Sequence, residues 1–461
     1  MSKELQQRIR ELAAHLLNFE QSTGLKKQKR SPASVEKFHL STAWLCKRLL
    51  AAHAASPNFG MRIARDKNRY KKGRYVPEGI TFDIAIEGVL LAMEIDGFVR
   101  QLRGGEFSRN TGSGKQTRIA ATAKLLDWFA ESDSLLPKKL VGCEDADPLL
   151  VQITTKKKVT NLKGKQVLQK HKRLVDYNET DSTKRMRDNL ELINDCLERH
   201  WSDLYLSDAE WLELQRSLMS NKEHDYAPVQ LHRQTVRRIF NDTKFRTGGR
   251  FYGGWWQNIP SAFRRFITID GKRTSEFDFG RLHPTILYAQ DRLVLSEDAY
   301  DIGIGEEHRD VVKKLFNAMV HMKKPQDNPP KVKFSQTGKT WKQLRDLILE
   351  KHELIRHKFF CGKGNELQYE DSKIAELVML YFAKQDIAVL PVHDSFIIRR
   401  SLEDWLVQAM QEAFSNFYDV PIKIRDAAKF LVMDFPASDE IVVENLVKHI
   451  EEYNGWWSRN T

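Results

Sequence analysis

Ser275-Glu276-Phe277-Asp278-Phe279-Gly280-Arg281-Leu282-His283 and Val389-Leu390-Pro391-Val392-His393-Asp394-Ser395-Phe396-Ile397-Ile398 are the two stretches whose reading decides the fold. Each sets one aspartate at the end of, or in a turn within, an apolar run that reads as a buried strand. Two carboxylates on adjacent strands of one sheet suit a pair of divalent cations roughly 3.5–4 Å apart. One cation would activate an attacking oxygen and the other would steady the leaving oxygens. Nucleotidyl transfer at Asp278 and Asp394, with two Mg²⁺ or Mn²⁺ ions, is therefore the first expectation. Each aspartate has a plain alternative: Asp278 as the cap of a helix starting at Leu282, and His393-Asp394 as an ordinary hairpin turn.

The chain of 461 residues is long enough for two or three domains. Lys and Arg number 74 against 62 Asp and Glu, a net charge of +12. Such an excess favours a polyanionic partner, although a merely solvated basic surface stays open. Cys46, Cys143, Cys196 and Cys361 form no close pair, which argues against a disulfide framework or a cysteine-based zinc site. The N-terminus lacks the apolar core of a signal peptide, and no run approaches the ~20 apolar residues of a membrane span. A soluble, cytoplasmic protein without membrane contact is expected.

Organisation along the chain predicts five regions. Residues 1–37 read as an amphipathic helix (Ile9, Leu12, Leu16, Leu17) followed by a basic segment. Residues 38–132 read as a helix near 41–53, a basic loop, and a helical run from Thr81 to a stop at Gly97. Short strands Phe98–Leu102 and Thr117–Ala121 follow, joined by the basic loop 103–116. Two helices followed by a basic hairpin is the order of a winged helix. Between Arg62 and Arg74 stand seven Lys or Arg and one Asp, interleaved with Tyr70 and Tyr75. Arg62, Arg65, Arg69, Lys71, Lys72, Arg74 and Arg118 are the candidate nucleic-acid contacts here; a three-helix packing unit with a solvated loop is the alternative. Residues 133–180, rich in Lys, read as a basic linker or hairpin. Helices at 182–200 and 207–220 place a thumb-like helical region at 181–232, and strands alternate with helices over 233–461.

Ahead of Asp278 the chain reads Phe245-Arg-Thr-Gly-Gly-Arg-Phe-Tyr-Gly-Gly-Trp-Trp-Gln-Asn-Ile-Pro-Ser-Ala-Phe-Arg-Arg-Phe-Ile267. Its glycines allow close backbone approach to a ligand. Arg250 could enter a duplex minor groove, Gln257 could meet base edges or sugars, and Arg264 and Arg265 could contact phosphates. The segment resembles the region before motif A in family-A DNA polymerases, the DNA polymerase I class. Thr247, Gly249 and Arg250 match its Thr-Gly-Arg with one Gly more, and Gln257, Asn258, Ile259 and Pro260 match the Gln-Asn-Ile-Pro run. Asp278-Phe279 matches motif A and His393-Asp394 matches the His-Asp of motif C. The resemblance covers roughly 235 to 425, with the motifs in order.

That resemblance implies a right-hand polymerase palm with Asp278 and Asp394 holding two metal ions. Arg250 and Gln257 would follow the primer–template end and His393 would position the primer terminus. Arg309 and Lys313, four apart on one helix face, match the fingers cations that hold an incoming triphosphate. Phe279 and His283 would border the nucleotide, with the His283 ring disfavouring a ribose 2′-hydroxyl. Gln368 is a candidate for a glutamine facing the primer terminus. Departures are clear: Asn317 and His321 stand where the family usually has stacking aromatics, and the fingers region is short. Ser395 replaces the usual Glu, giving the His-Asp-Ser of phage-type single-subunit RNA polymerases.

The expected fold is α+β: an antiparallel palm with short helical fingers and thumb-like helices, preceded by a winged-helix-like domain. The expected function is a primer-extending DNA polymerase without a proofreading exonuclease, acting on a primer–template duplex and dNTPs. The alternatives are a single-subunit RNA polymerase or primase, and a DNA-binding replication initiator or regulator whose palm is catalytically silent.

Overall fold

The computed structural model describes residues 3–57, 60–103, 107–108, 113–114, 117–130, 140, 147–160, 166–220, 228–327 and 330–427. Apolar side chains sort into two cores, one built from residues 5–140 and one from 149–414. The chain is mixed α+β, and its sheets are antiparallel apart from one short parallel pairing.

In the first unit, α1 (Lys3–Ser22) buries Leu5, Ile9, Leu12 and Leu16, the 4-3-4 spacing of one helix face. Helix α2 (Pro32–Ala55) starts before the expected residue 41 because Ser31 caps it, accepting from the Ser34 N–H at 3.4 Å, with Pro32 in the first turn. A helical run follows (Phe82–Ile84, π-helical Ala85–Leu90, Leu91–Ile95) and stops at Gly97, whose φ of 79° takes the chain out of the helix. Strands β1 (Met61–Arg62), β2 (Val99–Arg103) and β3 (Arg118–Ala121) form a sheet in the order β1-β3-β2, and α3 (Ala123–Phe129) closes the unit. Most of the basic loop 103–116 lies outside the described residues.

The second unit opens with a hairpin, β4 (Leu149–Thr160) and β5 (Gln166–Leu174), so the basic stretch 133–180 is a hairpin rather than a linker where it is described. After α4 (Asp181–Arg199), β6 (Ser202–Leu204) and α5 (Asp208–Ser220) come β7 (Arg237–Phe240) and β8 (Gly248–Tyr252). Strand β7 pairs with β8 on one side and runs parallel to β4 on the other. Next are β9 (Ile267–Ile269), β10 (Lys272–Gly280), α6 (Leu282–Ala289), α7 (Arg309–His321), α8 (Trp341–Lys351) and α9 (Gly364–Ala383). The unit ends with β11 (Leu390–Val392), β12 (Ser395–Arg399), α10 (Glu403–Ser415) and β13 (Lys423–Asp426). The main sheet has the order β11-β12-β10-β9-β6, with β13 also on β10.

Residues 181–232 do not form a separate helical lobe. Leu190, Ile193 and Leu197 of α4 belong to the same core as the sheet, Asn189 hydrogen-bonds Glu376 of α9 at 3.0 Å, and β6 is an edge strand of the main sheet. The two units are joined by the loop after β1. Arg74 forms ion pairs with Asp176 (3.0 Å), Asp147 (3.6 Å) and Glu179, and its guanidinium lies 3.9 Å from the Tyr177 ring centre. The Tyr75 hydroxyl donates to the Val175 carbonyl and accepts from the Val151 N–H, both at 3.0 Å. Among the described residues no helix is long and apolar enough to cross a membrane.

Candidate functional site

The two aspartates separated in sequence meet at one corner of the main sheet. Asp278 in β10 lies opposite Ser395 in β12, and the Phe279 N–H donates to the Asp394 carbonyl at 3.2 Å. His393 and Asp394 form the turn between β11 and β12, with His393 in the left-handed region at φ 62°. Strand alternation sends neighbouring side chains to opposite faces. Asp278 is part-exposed, whereas Phe279 is 2% exposed and packs on Phe396 and Phe414. Phe279 is thus a core residue, which corrects its assignment to a nucleotide.

On the other side of β10, β13 sets Arg425 opposite Asp278. The guanidinium grips the carboxylate with both prongs, Nε to Oδ1 at 3.1 Å and Nη2 to Oδ2 at 2.6 Å. Asp394 has no hydrogen-bonded or ion-pair partner for its carboxylate among the described residues. Its charge is felt nearby: burial first, with Asp394 adding and Arg309 opposing, pushes the Tyr300 phenol above its ordinary value. Two carboxylates are hard oxygen donors of the kind Mg²⁺ and Mn²⁺ take. Asp278 already holds a cationic group, so a metal there would share or displace Arg425.

Behind this corner lies a buried ion network. Asp371, 1% exposed, accepts from Arg250 Nε at 3.1 and 3.0 Å, from Arg250 Nη2, and from His283 Nε2 at 2.8 Å. Burial opposes the Arg250 charge, but the Asp371 contacts outweigh it and hold the guanidinium above its ordinary value. Both Arg250 and His283 were expected to face nucleic acid or nucleotide; in the structure they are tied inward to α9. The helix begins at Gly364, which puts Asp371 in its second turn and Gln368 half-buried one turn before it.

The glycines serve packing rather than ligand approach. The extra Gly of Gly248-Gly249 is a β-bulge against β7, and a Cβ on Gly249 (φ 81°) would sit 2.8 Å from the Phe240 ring and 2.9 Å from Ser372 Oγ. A Cβ on Gly254 would fall 2.3 Å from the Trp256 ring. Gln257 also faces inward. Its amide donates to the Phe251 (3.0 Å) and Pro391 (2.9 Å) carbonyls and accepts from the Gly253 N–H (2.9 Å), which pins this turn to β11. Arg264 pairs with Glu276 through two 2.8 Å contacts, and the Ser395 hydroxyl donates to the same carboxylate at 2.6 Å. Arg265 is half-buried with its guanidinium 4.8 Å from the Phe266 ring centre. Gln257 and Arg264, expected to meet nucleic acid, thus have their polar groups engaged within the fold.

Helix α7 carries the two cations expected to meet a triphosphate, Arg309 and Lys313. Arg309 is fixed by Asp298 (2.7 and 3.2 Å) and stacked 5.0 Å from the Tyr300 ring centre, while Lys313 is exposed. His321 lies beside Gly364, on which a Cβ would sit 2.1 Å from its ring, and its side chain stays open to solvent on the other side. Desolvation of the ring, with His283 and Arg250 nearby, lowers its pKa. Burial and Arg250 likewise lower the pKa of His393, whose Nδ1 is buried without a hydrogen-bond partner and whose ring meets Tyr252 edge-on at 5.3 Å.

In the first unit Arg62, Arg69, Lys71 and Lys72 are exposed. Arg65 pairs with Glu94, Arg74 clamps the two units, and Arg118 is 6% exposed within the middle strand of its sheet. Arg74 and Arg118, expected to meet nucleic acid, are thus turned into the fold. One other cluster, Cys196, His200 and Asp386, has the composition of a metal site. Its groups are engaged otherwise: His200 bonds Asp270 (2.6 Å) and the Asp386 carbonyl (2.9 Å), Asp386 pairs with Arg199 (2.7 Å), and burial pushes the Cys196 thiol up to about 11.

Sequence reading missed Asp371, Glu276, Arg425, Tyr252 and Tyr300. Glu276 had a local signal, two residues before Asp278 on one strand face; the others enter only through tertiary pairing. No protein-family model matches this chain, and no curated protein matches it.

Proposed function

We propose that the chain is a template-directed nucleotidyltransferase: a primer-extending DNA polymerase without proofreading, its second unit a polymerase palm. The observation that carries this reading is the meeting of Asp278 and Asp394 at one end of adjacent antiparallel strands. Asp278 and Asp394 would hold two Mg²⁺ or Mn²⁺ ions, which supply Lewis acidity toward the attacking hydroxyl and the transferred phosphate. Lys313 and Arg309 on α7 offer positive charge toward a triphosphate, and Arg425 adds a further cation beside Asp278. His393, kept neutral by burial, offers a ring edge beside the primer end rather than a charge. The first unit, a helical bundle with a small sheet and exposed Arg62, Arg69, Lys71 and Lys72, fits a winged-helix role on DNA.

Extension assays with DNA and RNA templates, dNTPs and NTPs, and Mg²⁺ or Mn²⁺ test the proposal. Labelled dNTPs should enter a primed template with the wild type and not with Asp278→Asn or Asp394→Asn. Full activity in both variants, or no incorporation by the wild type, would reject it. Ser395, whose hydroxyl binds Glu276 rather than the corner itself, keeps a second reading, an RNA polymerase or primase. Primer-free NTP incorporation would select that one.

A further inference from the structure

The hairpin of β4 and β5 runs well past the sheet that anchors it. Strand β4 pairs with β7 over Leu149–Val151, and from Gln152 to Thr160 it pairs with β5. At about 3.4 Å a residue, that stretch makes an arm roughly 30 Å long. Core packing stops at its base: Leu149 and Val151 are buried, Ile153 is half-buried and Leu174 is exposed.

The arm carries charge of one sign. From 148 to 175 the chain has eight Lys or Arg and no Asp or Glu. The register concentrates them. Lys156 stands opposite Lys170, with Lys158 diagonal to Lys170 and Lys172 diagonal to Lys156, so four lysine positions share one face of the ribbon. Lys157 and Arg173 take positions on the other face. Lys158, Lys172 and Arg173 are exposed. Like charges directly opposite destabilise a strand pair, and a two-stranded ribbon is marginal on its own. A bound polyanion reverses that repulsion.

Two further features select the polyanion. No Phe, Tyr or Trp stands between 148 and 175, so the arm lacks the stacking surfaces that hold single-stranded bases. The major groove of B-form DNA, about 12 Å wide, admits a two-stranded ribbon. Cations on both faces of a ribbon seated there can meet the phosphates that flank the groove.

We infer that the β4–β5 arm lies in the major groove of a DNA duplex and grips it through phosphate contacts. The inference deepens the nucleic-acid-directed function proposed above and rests on it for the class of partner.

The test titrates the full chain in EDTA with a short fluorescent DNA duplex over a salt series. Lys158, Lys172 and Arg173 are changed together to Gln, and a control changes the exposed Lys26, Lys27 and Lys29 to Gln, removing the same charge elsewhere. Each phosphate contact on B-DNA contributes about 0.9 to the slope of log K against log salt, so the arm variant should lose about 2.7 of slope. The control should keep the wild-type slope, and the arm variant should bind oligothymidylate as the wild type does. A third variant, Lys158→Arg, Lys172→Arg and Arg173→Lys, keeps the charge and should keep the slope. An arm variant with the wild-type duplex slope overturns the inference. So does an equal fall in the control, which marks a net-charge effect, or a fall in the charge-keeping variant, which marks a disturbed fold. Equal loss of oligothymidylate binding assigns the arm to a single strand and overturns it too, as does a wild type that binds phosphatidylserine vesicles but no duplex. Binding in EDTA is read apart from catalysis: a chain that fails every extension assay can still show the arm-dependent slope, and an active polymerase can lack it.

Discussion

Asp371→Asn should unfold this protein more readily than Asp278→Asn, although both changes remove an aspartate paired with an arginine. Asp371 is 1% exposed and its partner Arg250 is 17% exposed; Asp278 and Arg425 are 26% and 34% exposed. Removing one member of a buried pair strands the other charge and costs about 3–5 kcal/mol. Asparagine also turns an amide N–H₂ toward the donors of Arg250 and His283. Since Arg250 keeps some access to water, the lower end, ~3 kcal/mol, is the working figure. The second unit spans roughly 280 residues, and at about 2.1 cal/mol/K each its unfolding entropy is about 0.6 kcal/mol/K. The expected fall in Tm is therefore about 5 °C, read by circular dichroism. The Asp278 pair is screened by solvent and is worth about 0–1 kcal/mol, a shift under about 2 °C. Replacing the whole pair, Arg250→Met with Asp371→Leu, should recover part of the loss because no charge is left unpaired. If Asp371→Asn melts with the wild type, or if Asp278→Asn falls as far, the ranking by burial is wrong.

Arg425→Ala should lower the Mn²⁺ or Mg²⁺ concentration needed to fill the site by up to about fivefold, from ~1 kcal/mol of screened pairing at Asp278. Metal titration that finds an unchanged or higher requirement would contradict the competition. Gly249→Ala should lose about 1–3 kcal/mol of stability in urea unfolding, since the site needs φ 81° and has no room beside Phe240 and Ser372; an unchanged midpoint would refute the bulge argument. His352 is fully buried, with Nε2 donating to the Ala299 carbonyl (2.8 Å) and Nδ1 accepting from the Tyr288 hydroxyl (3.0 Å), so it fits when neutral. Burial lowers its pKa below 6.5, so the unfolded chain binds the proton more readily and stability falls as pH drops below about 6.5. Between pH ~7.5 and ~5.5 the wild type should lose more stability than His352→Gln, and equal losses would sink the assignment.

Elements whose signal is local were legible. The 4-3-4 spacing in α1, the stop at Gly97 and the strands around Asp278 and Asp394 follow from apolar period and turn chemistry, whereas the pairing of those strands in one antiparallel sheet was expected only from the resemblance. The start of α2 was misplaced because Ser31-Pro32, a cap followed by Pro in the first turn, outweighs the weaker apolar pattern ahead of residue 41. Phe279 shows the period-2 rule applied to one residue and not to its neighbour: once Asp278 faces solvent, the next side chain has to enter the core.

Polar residues were harder, because an Arg or Gln in sequence does not disclose its partner. Arg250, Arg264, Arg74 and Gln257 all sit in segments that favour ligand contact, and each is consumed by an acceptor distant in the chain: Asp371, Glu276, Asp176 and the Pro391 carbonyl. Charge balance at the corner then depends on those pairings. Arg425 offsets Asp278, Arg250 offsets Asp371, and Arg264 offsets Glu276, which leaves Asp394 as the carboxylate there without an ion-pair partner among the described residues. Two aspartates that look equivalent in sequence are thus electrostatically unlike, and the difference comes from β13, whose pairing with β10 no local pattern announces. An incoming cation meets open charge at Asp394 and a competitor at Asp278, so Asp394→Asn should weaken metal binding more than Asp278→Asn. Equal losses in a Mn²⁺ titration would mean that the Arg425 fork does not restrain Asp278.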